Sequence, residues 1–94
     1  MATDADHDTH PNELASRVLE YLVRYPQAAD SVDGVARFWL VDCGPCHQAH
    51  VRASLRLLVE RGWVDRRVNR DGTTVYCASA TLRARVRLGQ PPEL

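Results

Sequence analysis

The densest group of reactive side chains in the chain is Cys43-Gly44-Pro45-Cys46-His47. Two thiols three positions apart with an imidazole beside them match both the thioredoxin-type pair and the haem-attachment motif. Neither match has its setting. Thioredoxin chemistry needs the pair after a strand in a βαβ unit. Covalent haem is attached outside the cytosol, and the chain shows no export signal, since Met1 to His10 is acidic rather than basic and then apolar. Three readings remain. Cys46 in the first turn of a helix is favoured as thiolate by the backbone dipole, and Cys43 is close enough in sequence for a reversible disulfide. Alternatively, Cys46 and His50, at i and i+4, share a helix face and with Cys43 form a partial zinc site, for which Cys77 is the remaining thiol. In the third reading these are free thiols in a reducing compartment. His7 and His10 in the amino-terminal segment read as solvated. Nowhere does a nucleophile stand with a base and an orienting carboxylate, and no glycine-rich phosphate loop occurs, so no enzyme is expected.

The second chemical signal is the distribution of arginine. The formal net charge is +0, but it is unevenly spread. Residues 1–36 hold two arginines against seven acidic residues, a net of −5, whereas residues 37–87 hold ten arginines against four, a net of +6. Such asymmetry predicts a surface that faces a polyanion.

These groups must be positioned by a small core. A chain of 94 residues with 45% hydrophobic and 26% charged residues has ordinary globular composition and the length of one domain. No run approaches the roughly 20 apolar residues of a membrane span, so a cytoplasmic protein without a membrane partner is expected. Residues 1–10 lack any apolar period and are predicted as a disordered acidic tail, with a domain over 11–88 and a second tail over 89–94.

A first helix is predicted from Pro11 or Asn12, with Leu14, Val18, Leu19 and Leu22 as its buried stripe and Tyr25-Pro26 as its stop. For a second, Asp30 and Asp33 are spaced as cap and third residue, and Val32, Val35, Ala36, Trp39 and Leu40 recur at helical spacing. The third starts at Pro45, buries Val51, Leu55, Leu58 and Val59, and stops at Gly62. Trp63 to Asn69 and Thr73 to Ala78 read as strands around Arg70, Asp71 and Gly72, with Asp-Gly as a two-residue hairpin turn. Thr81 to Leu88 reads as a short basic helix with Leu82 and Val86 inward, ended by Gly89, Pro91 and Pro92. The expected fold is therefore mainly α with a β-hairpin: a winged helix-turn-helix with a three-helix core, a two-stranded wing and a short C-terminal helix.

The run from Val51 to Arg67, VRASLRLLVERGWVDRR, followed by Asp71-Gly72-Thr73-Thr74-Val75-Tyr76, resembles the recognition helix and wing of bacterial winged-helix regulators of the MarR and ArsR type. A valine, a leucine four later, another three later and a glycine four later precede two strands around an Asp-Gly turn. The likeness spans roughly residues 12 to 80, and the stretch from Asp30 to Leu40 also resembles small stand-alone bacterial winged-helix proteins. The resemblance implies a transcriptional regulator that binds double-stranded DNA. It departs from the family pattern where the third helix begins, with Cys43 to His50 in place of the usual Ser, Thr, Asn or Gln.

With Val51 at the centre of the buried face and about 100° per residue, Leu55, Leu58 and Val59 are core. Cys46, Ala49, Ala53 and Glu60 then fall near the opposite side, Arg56 and Leu57 beside them, and His50 and Arg52 at the flanks. A helix in the major groove needs small residues at closest approach and donors at the edges. Ala49 and Ala53 supply the first; His50, Arg52 and Arg56 supply the second. Arg66, Arg67 and Arg70 of the wing are expected at phosphates or in the minor groove. A homodimer is expected, because one small module buries little surface. The alternative is an adaptor that binds another protein through the same helices, with Phe38 and Leu57 as part of an exposed apolar patch.

Overall fold

The computed structural model describes residues 11–41 and 48–94. Within them the chain forms four helices and a three-stranded antiparallel sheet. Helix α1 is Pro11–Arg24, strand β1 Ala29–Asp30, helix α2 Val32–Gly34 continuing as a π-helical turn over Val35–Trp39, and helix α3 Gln48–Glu60. Strands β2, Val64–Val68, and β3, Thr74–Ala78, precede helix α4, Ala80–Arg87.

The periodic apolar positions decide the packing. Leu14, Val18, Leu19 and Leu22 line the inner face of α1, joined by Ala15, and α1 lies along α3. From α3, Val51, Leu55 and Leu58 are completely buried, and Val35, Trp39 and Leu40 close the core from the second helical segment. Ser54 is also buried. Its hydroxyl donates to the Val51 carbonyl at 2.7 Å, so no polar atom is orphaned there. Val64, Ala78 and Leu82 extend the core under the sheet and α4. At the end of α3, Gly62 takes φ +84, with Gly62 N–H donating to Val59 O at 3.1 Å and Trp63 N–H to Leu58 O at 3.0 Å. That is the left-handed helix stop at which glycine is favoured, and it delivers Trp63 to the core beside Leu58.

Four expectations are corrected. The hairpin is part of a three-stranded sheet rather than a two-stranded unit, because Ala29 and Asp30 pair with Cys77 and Tyr76 of β3, giving the order β1-β3-β2. The cap of α2 is Ser31, whose hydroxyl accepts from Gly34 N–H at 3.2 Å, while the Asp30 carboxylate accepts from Ser31 N–H at 2.8 Å. Asp30 is committed to the strand and cannot also start the helix. The hairpin turn has three residues rather than two: Asn69 N–H donates to Thr73 O at 2.8 Å and Gly72 N–H to Asn69 O at 3.0 Å, with Gly72 at φ +91. Helix α4 begins at Ala80, one residue early, because Ser79 caps it by accepting from Leu82 N–H at 3.1 Å. The expected start of the third helix at Pro45 lies outside the described residues.

Candidate nucleic-acid interface

Helix α3 presents to solvent what its core face rejects. Arg52 and Arg56, one turn apart, are exposed, as is Ala49; Ala53 and His50 are half-buried. Because Val51, Leu55 and Leu58 anchor the opposite face, the guanidiniums cannot turn inward without dismantling the core. The first turn is tied to α2 by Gln48, whose Nε2 donates to Asp33 Oδ1 at 3.4 Å, and Asp33 Oδ2 also pairs with Arg37 Nε at 3.0 Å.

The hairpin supplies the second group of cations. Strand β2 is an edge strand, with Arg66 opposite Tyr76 and Arg67 opposite Val75. Successive residues of a strand point to opposite faces, so Arg66 and Arg67 flank the ribbon on its two sides. Arg70 sits in the turn and is exposed. The tip is braced by its own hydrogen bonds: Thr73 N–H and Oγ1–H both donate to Asp71 Oδ1, at 3.0 and 2.7 Å, and Asn69 Nδ2 donates to Thr73 Oγ1 at 3.0 Å. The Thr73 hydroxyl, and after it the Thr73 amide, hold the Asp71 carboxyl below its ordinary value.

Among the described residues the one ion pair is that of Arg37 with Asp33. Arg52, Arg56, Arg66, Arg67 and Arg70 are exposed and pair with no carboxylate among the described residues. The same face is poor in apolar surface. Leu57, expected to be exposed, is half-buried against the core, and no large apolar side chain of α3 is exposed; in the hairpin only Val68 is. Phe38 is 63% exposed, but its neighbours are residues of α1 and the π turn rather than of α3.

Cys43 and Cys46, and with them the expected redox or zinc group of Cys43, Cys46 and His50, lie outside the described residues. Cys77 is a free, buried thiol on β3, paired across the sheet with Ala29 and Asp65. The described residues contain no cluster of three His, Cys, Asp or Glu able to hold a metal. No described helix is long and apolar enough to cross a membrane.

The sequence missed strand β1, the π-helical turn and the capping roles of Ser31 and Ser79. A two-residue strand has no alternation to read, but Ser-x-x-Gly at 31–34 and Ser-x-x-Leu at 79–82 are legible as cap positions. Comparison of the chain with family models, with curated proteins and with solved structures gives no match.

Proposed function

We propose that this chain is a winged-helix protein that binds duplex DNA, with α3 in the major groove and the β2–β3 hairpin as a wing on the adjoining backbone. Three helical segments followed by an antiparallel hairpin and a further helix support this reading. The observation that carries the reading is the set of five exposed arginines on α3 and the hairpin, free of carboxylates among the described residues, with no large exposed apolar side chain on α3. A protein-docking surface needs apolar area at its centre, whereas a polyanion needs uncompensated cations.

Arg52 and Arg56 are the base-reading residues, since the planar guanidinium matches guanine bidentately, and the small Ala49 allows close approach. Arg66, Arg67 and Arg70 take phosphates on either side of the wing. The protein is then a cytoplasmic transcriptional regulator rather than an enzyme, and it acts as a homodimer on paired half-sites. Duplex binding measured over a salt series tests this. With three phosphate contacts per protomer, log K against log salt should fall with a slope of roughly −3 per protomer. A slope near zero, or no binding at low salt, would overturn the reading.

A further inference from the structure

Helix α3 and the hairpin meet at one residue. Trp63 follows the glycine stop of α3 and stands immediately before Val64, the first residue of β2. Its hydrogen-bonding groups are engaged with three different parts of the chain. The amide donates to Leu58 O of α3 at 3.0 Å, the carbonyl accepts from Ser79 N–H at the β3–α4 corner at 3.0 Å, and the indole Nε1–H donates to Glu93 O at 2.8 Å. Beside it the Ser79 hydroxyl donates to Gly62 O at 2.6 Å. The Arg85 guanidinium of α4 lies over the indole ring, 5.3 Å from its centroid, within cation–π range. The segment that receives the indole is itself held. Gly89 takes φ +72 and Gln90 N–H donates to Arg85 O at 2.9 Å, which ends α4 and turns the chain. Pro91, Pro92 and Leu94 then share a groove of about 520 Å³ with Ser16, Leu19 and Val23 of α1.

We infer that Trp63 is a positioning residue for the DNA face: its indole fastens the base of the hairpin to the segment Gln90–Leu94, and through that segment to α1, and so fixes the hairpin relative to α3. The consequence for DNA rests on the DNA-binding reading. Any residue at position 63 can make the two main-chain bonds, and an apolar one can fill the same place in the core; the indole adds a donor that reaches a segment 30 residues away. Arg52 and Arg56 lie before this junction and Arg66, Arg67 and Arg70 beyond it, so one angle between α3 and the hairpin brings all five to a duplex together. The lever is long. At about 3.3 Å per strand residue Arg70 lies roughly 20 Å from the pivot, where a rotation of about 10° moves it by roughly 4 Å, more than the length of a hydrogen bond. A hairpin already held at the binding angle avoids the cost of ordering it on contact.

Two variants of the full chain cut the tie from either end. Trp63→Phe keeps a ring in the core and under Arg85 but has no donor. Pro92→Ser/Leu94→Ser leaves Trp63 intact and removes the apolar hold on the segment that receives it. Residual dipolar couplings of ¹⁵N-labelled protein, measured without DNA, should fit one alignment for α3 and the hairpin in the wild type and require a weaker one for the hairpin in both variants. Affinity for a short mixed-sequence duplex should fall about three- to tenfold, the scale of one hydrogen bond, and the slope of log K against log salt should become shallower by at least about 1 as hairpin arginines leave their phosphates. The two changes combined should do no more than either alone, because both remove the same tie. Ser31→Ala, destabilised at the cap of α2, is the comparison and should keep the wild-type alignment and slope. The inference is overturned by one common alignment in both variants, by weaker binding at the wild-type slope, or by losses that add. If Trp63→Phe does not fold, the Pro92→Ser/Leu94→Ser variant decides by itself. A wild-type chain that does not bind the duplex removes the DNA-binding reading, and the dipolar couplings then decide the tie without it.

Discussion

Helix α3 and the second helical segment both pack on the same core, yet they finish in opposite ways. Helix α3 runs regularly for 13 residues and buries every large apolar side chain wholly or in part, so its outer face is left to Arg52, Arg56 and small or polar residues. The second segment makes only three α-helical residues before widening into the π turn, and it leaves Phe38 outside beside the stacked Tyr21 and Trp39. A regular helix separates apolar from charged residues cleanly and so presents a surface suited to a polyanion; a widened one leaves an aromatic residue in water. The difference underlies the proposal that the α3 face meets DNA, and it can be broken in several places.

The largest effect should come from the shared core. Leu55→Ala deletes a completely buried side chain of α3 and should lose about 2 to 5 kcal/mol of stability in urea unfolding, whereas Phe38→Ala should change it by no more than about 0.5 kcal/mol. Equal losses would mean that Phe38 is not the solvent-facing member of its turn.

Next are the residues proposed to read DNA. Arg52→Ala or Arg56→Ala should cost about 1 to 3 kcal/mol of specific DNA affinity and relax the base preference, and Arg66→Ala should weaken all sequences alike and reduce the salt slope by about 1. Quantitative band-shift titrations against a cognate and a scrambled duplex separate the two classes. Unchanged affinity in both α3 variants would remove that helix as the reader.

Ser31→Ala removes the cap of the short second helix and should cost about 1 kcal/mol, measured by thermal unfolding. A neutral result would return the capping role to Asp30. Smallest is the effect at the hairpin tip. The Asp71 carboxyl is held below its ordinary value by Thr73, so its contribution is present above the unfolded-state value and is lost as pH falls through the lower, folded one. Exchange of the Thr73 amide should quicken over that acidic window in the wild type, relative to its intrinsic rate, and show no such step in Asp71→Asn.

Much of this arrangement is legible in the residues. The stripes Leu14-Val18-Leu19-Leu22 and Val51-Leu55-Leu58 give α1 and α3 with their inner faces, because a helix that buries one face must repeat its apolar residues every three or four positions. The same repeat hides the π turn. Val35 and Trp39 are spaced as in an α-helix, and the extra residue per turn leaves no mark on the pattern. Strand β1 is invisible for another reason: Ala29 and Asp30 become a strand only because Cys77 and Tyr76 offer hydrogen bonds from 46 and more residues away. For the interface, the helical wheel located Arg52 and Arg56 correctly on the outside. It put Ala53 and Leu57 too far out, since a wheel drawn for one helix ignores the width of the neighbours that cover its flanks.

The central claim is that the face built by α3 and the hairpin, and not the aromatic residues around Phe38, meets DNA. The most direct test is a titration of ¹⁵N-labelled protein with a short duplex, mapped residue by residue. The account predicts shifts at Arg52, Arg56 and from Arg66 to Arg70, with Tyr21, Phe38 and the Trp39 indole unmoved. Shifts centred on Tyr21, Phe38 and Trp39, or no shifts on α3 and the hairpin at low salt, would contradict it.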